Sequence, residues 1–237
     1  MFRRARHASV LLASLVLAAC GGAADGSSAR EPSRADADSG APESAAAASA
    51  SQEAGLPEGW SLRLDRAGSD ASEVRVAAMD DALEIRTGPA GILWREQDAV
   101  TGGAYEVSAT FTEVGAPAGH REAYGLFIGG SDLQGEGQAY TYFLVRGDGS
   151  FLIKRRAGSG TSDVTDGWKP SDAVAAAGEG DPTNTLSIRV GPEQVQFIVN
   201  GTGVATVPAG DVDAHGTAGL RVNHNLQLRI ADFSIDR

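Results

Sequence analysis

From Leu56 to the C-terminus the chain is written in short runs in which every second residue is apolar. Leu62 and Leu64 alternate with polar neighbours, as do Val74/Val76, Leu83/Ile85, Val107/Ala109/Phe111 and Leu186/Ile188/Val190. A period of two places those side chains on one face of a strand and the polar ones on the other. Gly, Asp, Asn and Pro bound the runs, and the 31 glycines are spread between them, as many tight turns require. Residues 171–177 are the one helix candidate, too short to form a layer. The pattern predicts an all-β, antiparallel domain over residues 56–237.

Three hairpins can be placed. Residues 140–146 and 150–156 flank Gly147-Asp148-Gly149, residues 184–190 and 194–199 flank Gly191-Pro192, and residues 195–199 and 204–207 flank Asn200-Gly201. Asn-Gly between apolar runs is the strongest short hairpin signal. In the first hairpin, pairing Arg146 with Ser150 sets 143 against 153 and 140 against 156. Phe143, Val145, Phe151 and Ile153 then share one face, a natural core patch, and a slip of one residue would mix the faces. Near the C-terminus Leu226, Leu228 and Ile230 have one parity and Phe233 and Ile235 the other. With no Gly or Pro between them, the switch predicts a β-bulge near Ala231-Asp232.

Two stretches carry a family resemblance: residues 195–201, Val-Gln-Phe-Ile-Val-Asn-Gly, and residues 216–235, with Gly219-Leu220 early and Asp232-Phe233 late. Together they resemble the closing half of concanavalin A-like and laminin-G-like jelly-roll domains, near the 3-keto-disaccharide hydrolase family. The resemblance covers about residues 105–235. It implies an antiparallel jelly-roll sandwich of two curved sheets, often with a carbohydrate on the concave face. The acidic Glu-x-Asp-x-x-Glu motif of glucanases on this sandwich is absent, and no catalytic residue of the keto-sugar hydrolases maps onto this chain.

The N-terminal quarter has a different character. Arg3, Arg4 and Arg6 precede an uncharged apolar stretch at residues 8–19, shorter than the roughly 20 residues a spanning helix needs. It closes on Leu17-Ala18-Ala19-Cys20, and Cys20 is the only cysteine. The pattern resembles a bacterial lipoprotein signal and lipobox. It implies a signal peptide over residues 1–19, cleavage before Cys20, and a diacylglyceryl group with palmitate-type acyl chains on Cys20. Two chains matter because one alone holds a protein at a membrane only marginally. The implied location is the cell envelope, facing periplasm or exterior. Gly21 in place of the Asp that favours inner-membrane retention leans toward the outer membrane of a Gram-negative cell. Residues 21–55 contain no Val, Leu, Ile, Met, Phe, Trp or Tyr. Such a segment buries too little apolar surface to offset its chain entropy, so residues 20–55 read as a lipidated cysteine and disordered tether.

Removing the leader takes three arginines and no acid, moving the net charge from −11 to −14. A chain so acidic is a poor match for phosphate backbones, so no nucleic-acid partner is expected. It is also repelled by anionic headgroups, so membrane contact is expected only through the anchor. With Cys20 lipidated, no thiol remains for a disulfide, a zinc site or a nucleophile.

Candidate site residues come first from the hairpin. The predicted register puts Tyr140, Tyr142, Lys154 and Arg156 together, beside Leu144 and Leu152, on the face away from the core. Aromatic rings beside cationic donors suit a sugar. The same residues also suit an ordinary solvated sheet face. Asn223-His224-Asn225 is the second candidate. As one strand, His224 falls on the apolar face. As two strands, the three residues are the turn between them. As a functional element they form a polar rim for a sugar. His120 and Glu122 sit beside a glycine-bounded loop and could form an acid/base pair, although neighbours in a strand point to opposite faces. His120, His215 and His224 show no His-x-His spacing, and no metal site is expected. Asp148, Asp163 and Asp166 lie in polar loops and could supply oxygen to a structural calcium, but no calcium-binding motif supports it. No other cofactor is implied. Trp168, in a loop, is the tryptophan best placed for a ligand, with Trp60 and Trp94 assigned to core or edge. No Gly-x-Ser-x-Gly elbow or phosphate-cradling loop is present.

The sequence is read as an envelope-anchored lipoprotein whose β-sandwich binds a saccharide or similar polar ligand without catalysis. The alternatives are a glycoside hydrolase of the 3-keto-disaccharide type and a structural or adhesive envelope protein. Replacing the anchor residue, Cys20→Ala, is expected to shift the protein from the membrane to the soluble fraction. Continued processing and membrane association of that variant would contradict the anchor.

Overall fold

The computed structural model describes residues 54–178 and 180–237. The expected signal peptide, Cys20 and nearly all of the tether lie outside them. Fifteen strands form among the described residues. They are Trp60–Leu64 (β1), Arg75–Met79 (β2), Ala82–Arg86 (β3), Gly91–Val100 (β4), Tyr105–Glu113 (β5), Ala123–Ser131 (β6), Ala139–Arg146 (β7), Ser150–Ala157 (β8), Gly160–Asp163 (β9), Lys169–Pro170 (β10), Thr183–Val190 (β11), Gln194–Val199 (β12), Thr202–Pro208 (β13), Gly216–Val222 (β14) and Gln227–Asp236 (β15). Two single 3-10 turns, Ala71–Glu73 and Ala209–Asp211, lie between strands.

The strands build two antiparallel sheets. The eight-stranded sheet runs β1-β4-β14-β6-β7-β8-β10, with β9 also pairing β8, and the seven-stranded sheet runs β13-β12-β11-β5-β15-β3-β2. Their facing sides make one core. Leu62, Leu93, Leu220, Leu126, Phe143 and Ile153 come from the first sheet, and Ile85, Val107, Phe111, Ile188, Phe197 and Ile230 from the second. Phe143 meets Phe197 edge-on at 5.3 Å, and Phe111 stacks on Tyr124 at 5.3 Å. Such pairs contribute beyond the area they bury. The Tyr124 hydroxyl accepts a hydrogen bond from Asn184 Nδ2 at 3.1 Å, so its polar end is satisfied between the sheets. Burial pushes its pKa up to about 12, despite the Asn184 bond, and it stays neutral.

All three hairpins form, the first in the expected register, and the third has a register shift between Phe197 and Ile198, with its second strand starting at Thr202. Tyr140 pairs Arg156 and Phe143 pairs Ile153, Val190 pairs Val195, and Val199 pairs Thr202 across Asn200-Gly201. The C-terminal parity switch is a register shift between Ala231 and Ser234, with Asp232 at φ 56°.

The helix expected at 171–177 does not form. Its backbone is bonded elsewhere: Asn184 Oδ1 accepts from Ala175 N, Asn184 Nδ2 donates to Ala175 O, and Ala177 N donates to Gly147 O. Those tertiary bonds replace the local ladder, and the weak helix preference of so short a run is overridden.

The Gly-x-x-Gly-Leu stretch at Gly216 to Leu220 has a steric cause. Gly216 has φ 139°, and a Cβ there would lie 2.5 Å from Gly130 O. A Cβ on Gly219 would lie 2.3 Å from Leu93 O and 2.6 Å from the Phe127 ring. The absent side chain of Gly219 leaves the space that the Phe127 ring edge occupies. Gly219→Ala is expected to destabilise the fold by roughly 1–3 kcal/mol, the scale of overpacking, measured by urea unfolding. An unchanged midpoint would show that Phe127 does not need this space.

Candidate ligand-binding face

The outer side of the eight-stranded sheet is also largely buried. Alternation assigns its residues row by row. One row reads Arg63, Ile92, Arg221, Gly125, Leu144 and Leu152 across β1, β4, β14, β6, β7 and β8. The next reads Ser61, Trp94, Gly219, Phe127, Tyr142, Lys154 and Asp163, ending on β9. Tyr140 and Arg156 begin a third.

Trp94, Phe127, Tyr140, Tyr142, Leu144 and Ile92 form an apolar cluster distinct from the main core. Phe127 and Tyr140 lie 5.2 Å apart, and Tyr140 and Tyr142 5.7 Å, both pairs tilted. Leu133 packs onto the cluster from the loop at residues 132–138. That loop is held down by Arg63 Nη1, which donates to Leu133 O at 3.2 Å and Gly135 O at 2.9 Å. The Gly137 N–H closes it on Asp132 Oδ2 at 2.9 Å. Trp168 packs at the edge, with the Arg146 guanidinium 4.0 Å from its ring centroid.

The charged groups on this face are tightly organised. Arg221, 7% exposed, donates from Nη1 to Asp65 Oδ1 at 2.5 Å and from Nη2 to Oδ2. Its guanidinium lies 5.7 Å from the Tyr142 ring centroid. Burial alone would raise the Asp65 carboxyl pKa. Hydrogen bonds and charge from Arg221, with help from Arg156 and His224, hold it below the ordinary value. Burial raises both Tyr140 and Tyr142, so both hydroxyls stay protonated at neutral pH. Neither hydroxyl has a hydrogen-bond partner among the described residues. The same is true of Nε of Arg221 and Nε of Arg156, both of which are buried. Lys154 Nζ pairs with Asp163 at 3.1 Å. Arg146 pairs with Asp148 at 2.7 Å.

The structure thus brings Tyr140, Tyr142, Lys154 and Arg156 together on one face, as the hairpin register requires. It corrects how the tyrosines are presented. Tyr140 is 1% and Tyr142 8% exposed, because their rings are occupied by Trp94, Phe127 and Leu133. They are a floor with polar tips, not open stacking platforms. Asn223, His224 and Asn225 are the turn between β14 and β15, with Asn225 at φ 53°. Thr87 Oγ1 donates to Asn223 O at 2.7 Å. His224 Nδ1 lies 3.6 Å from Glu122, and its charge reaches Asp65, so this turn borders the same face.

His120 does not pair with Glu122, the neighbouring carboxylate that the sequence left open as an acid/base partner. Its Nδ1 is bonded to Glu113 Oε1, at the end of β5. Glu113 is 1% exposed, and its Oε2 is buried without a partner. Both residues line a depression of about 330 Å³ with Thr87 and Asn225. Asp148, Asp163 and Asp166 each meet a different cation, Arg146, Lys154 and Lys169, and do not converge. Trp94 is fully buried, donating Nε1 to Glu96 at 2.9 Å. Trp60 is an edge residue beside Phe233.

Sequence reasoning missed Asp65, Arg63 and Arg221. Arg221 was within reach, because it sits between Leu220 and Val222 and must face away from the core. Arg63, between Leu62 and Leu64, carried the same signal, whereas Asp65 carried none, since only the pairing of β1 with β4 brings it to this face.

No family model matches the chain, and no curated protein matches it in sequence. Among solved structures it is similar to the carbohydrate binding module CBM66 from Bacillus subtilis, at 11% identity and TM-score 0.53, covering 76% of this chain and 96% of that one. It is also similar to the Emp46p carbohydrate recognition domain, at 12% identity and TM-score 0.51, covering 75% and 88%. At these identities the likeness is one of fold, and the fold is an antiparallel jelly-roll sandwich.

The lowered pKa of Asp65 gives a signed expectation. Its pairing contributes stability that is full above the unfolded carboxyl pKa of about 3.9 and is lost as pH falls through its lower folded value. Asp65→Asn is expected to cost roughly 3 kcal/mol at pH 7, since it strands a buried guanidinium. The gap between variant and native protein should narrow at pH 3 in chemical unfolding. A gap that is the same at both pH values would contradict the assignment.

Proposed function

We propose that this chain is an envelope-anchored lipoprotein whose sandwich binds a saccharide, without transforming it, on the outer face of the eight-stranded sheet. The observation that carries the reading is the coincidence on one face of a packed aromatic floor and unpartnered donors. The buried rings fix the floor. The tyrosine hydroxyls and the Arg156 and Arg221 Nε groups are hydrogen-bonding capacity that the fold itself does not use. Buried polar groups are nearly always satisfied, and exceptions call for a reason. A ligand dense in hydroxyls would meet those that reach the surface, the Tyr142 hydroxyl and the outer nitrogens of Arg156. Two depressions of about 730 Å³ and 550 Å³ lie on the seven-stranded sheet and have no aromatic ring in their lining. The two solved structures of similar fold are described as a carbohydrate binding module and a carbohydrate recognition domain, which supports this ligand class. The anchor at Cys20 would hold the acidic sandwich at a membrane it otherwise avoids. A tether of some 35 residues would let it range roughly 30 Å.

A second reading, a hydrolase on the same sandwich, is favoured by the Glu113–His120 pair. A buried carboxylate that orients an imidazole is the arrangement a general base needs. The two readings separate by turnover, because a binder saturates without product and a hydrolase releases sugar.

The binding reading is tested by calorimetric titration with an oligosaccharide panel. Tyr142→Phe and Lys154→Gln are each expected to weaken affinity about fivefold, the scale of one hydrogen bond, without altering the fold. Native affinity in both variants would remove this face as the site.

A further inference from the structure

Resting on the saccharide reading above, we infer that the ligand carries an oxyanion, as a uronate or a sulfated sugar does, and that Arg156 receives it. The cations of the face differ in how they are used. Arg221 is committed to Asp65, Arg146 to Asp148, and Lys154 to Asp163. Arg63 holds the carbonyls of the loop that covers the aromatic cluster. Arg156 makes no hydrogen bond or ion pair with any described residue, and its Nε is buried.

A half-buried guanidinium without an acceptor is costly, because it gives up water without gaining a partner. The chain had ample means of supplying one. It has 31 Asp and Glu against 20 Lys and Arg, and every other cation named on this face is matched by a carboxylate or a carbonyl. Asp65 is close enough to feel the Arg156 charge, yet both its oxygens are taken by Arg221.

The placement fits a sugar acid. Arg156 stands opposite Tyr140 and one row from Tyr142 and Lys154. A planar guanidinium presents paired donors that match a carboxylate or sulfate bidentately. With the oxyanion on Arg156, the sugar ring would extend over the tyrosine edge, where the Tyr142 hydroxyl meets ring hydroxyls. In a protein of net charge −11, a cation cluster is not a by-product of composition. It creates one place where an anion is attracted and not repelled.

The test uses the full chain and three matched oligosaccharides: a neutral hexose series, its uronic-acid counterpart and its sulfated counterpart. The native protein is expected to bind the uronate or the sulfate roughly tenfold or more tightly than the neutral sugar, the scale of a charge-assisted bond. The better of the two acidic arms identifies the oxyanion. Arg156→Gln should weaken acidic sugars far more than neutral ones and so remove the preference, and Arg156→Lys should restore part of it. Arg229→Gln, on the other sheet, controls for net charge, and unfolding midpoints control for the fold. Equal affinity for neutral and acidic sugars in the native protein, or a preference that survives Arg156→Gln, would overturn the inference and leave saccharide binding standing. Absence of binding to all three would overturn both.

Discussion

The pairing of Arg221 with Asp65 is the interaction on which the outer face of the eight-stranded sheet depends. A guanidinium at the centre of a sheet, flanked by Ile92, Leu144 and the Tyr142 ring, cannot be left without a carboxylate. Asp65 supplies one from the end of β1, and pairing of β1 with β4 is what carries it there. Around that pair the sheet is cleared by glycine. Gly125 stands beside Arg221 in its row, and Gly219 makes room for Phe127. The loop from 132 to 138 then closes over one side, pinned by Arg63. A face that alternation alone would leave to solvent becomes a second, partly polar core.

This arrangement separates rigidity from recognition. Trp94, Phe127 and Tyr140 are too deeply buried to stack on a ligand, so they hold the floor still. What reaches the surface is polar: hydroxyl tips, a free guanidinium and the Lys154 amine. A binding face of that kind suits a hydroxyl-rich ligand better than an apolar one, because donors fixed by packing lose little freedom on binding. The main core between the sheets is built separately, from Phe143, Phe197, Phe111 and Tyr124.

Much of this was legible in the sequence, for identifiable reasons. Period-two alternation and Asn-Gly or Gly-Asp-Gly turns are local signals, and they placed the hairpins, the bulge at Ala231-Asp232 and the register that gathers Tyr140, Tyr142, Lys154 and Arg156. Burial of those tyrosines was not legible, because it arises from Trp94, Phe127 and Leu133, distant in sequence. The Glu113–His120 pair was hidden for the same reason: adjacency suggested Glu122, while the loop fold brings His120 back to β5. The segment at 171–177 failed through tertiary bonds to Asn184 and Gly147 that no local pattern encodes. Alternation reports which face a residue takes, and it is silent on what else reaches that face.

The most direct test of the central claim is a saccharide titration followed by NMR of the arginine Nε–H signals. If the outer face of the eight-stranded sheet is the site, the Arg156 and Arg221 signals shift and saturate together while Arg75 and Arg229, on the other sheet, stay in place. Saturable shifts at Arg75 and Arg229, with Arg156 and Arg221 unmoved, would contradict it.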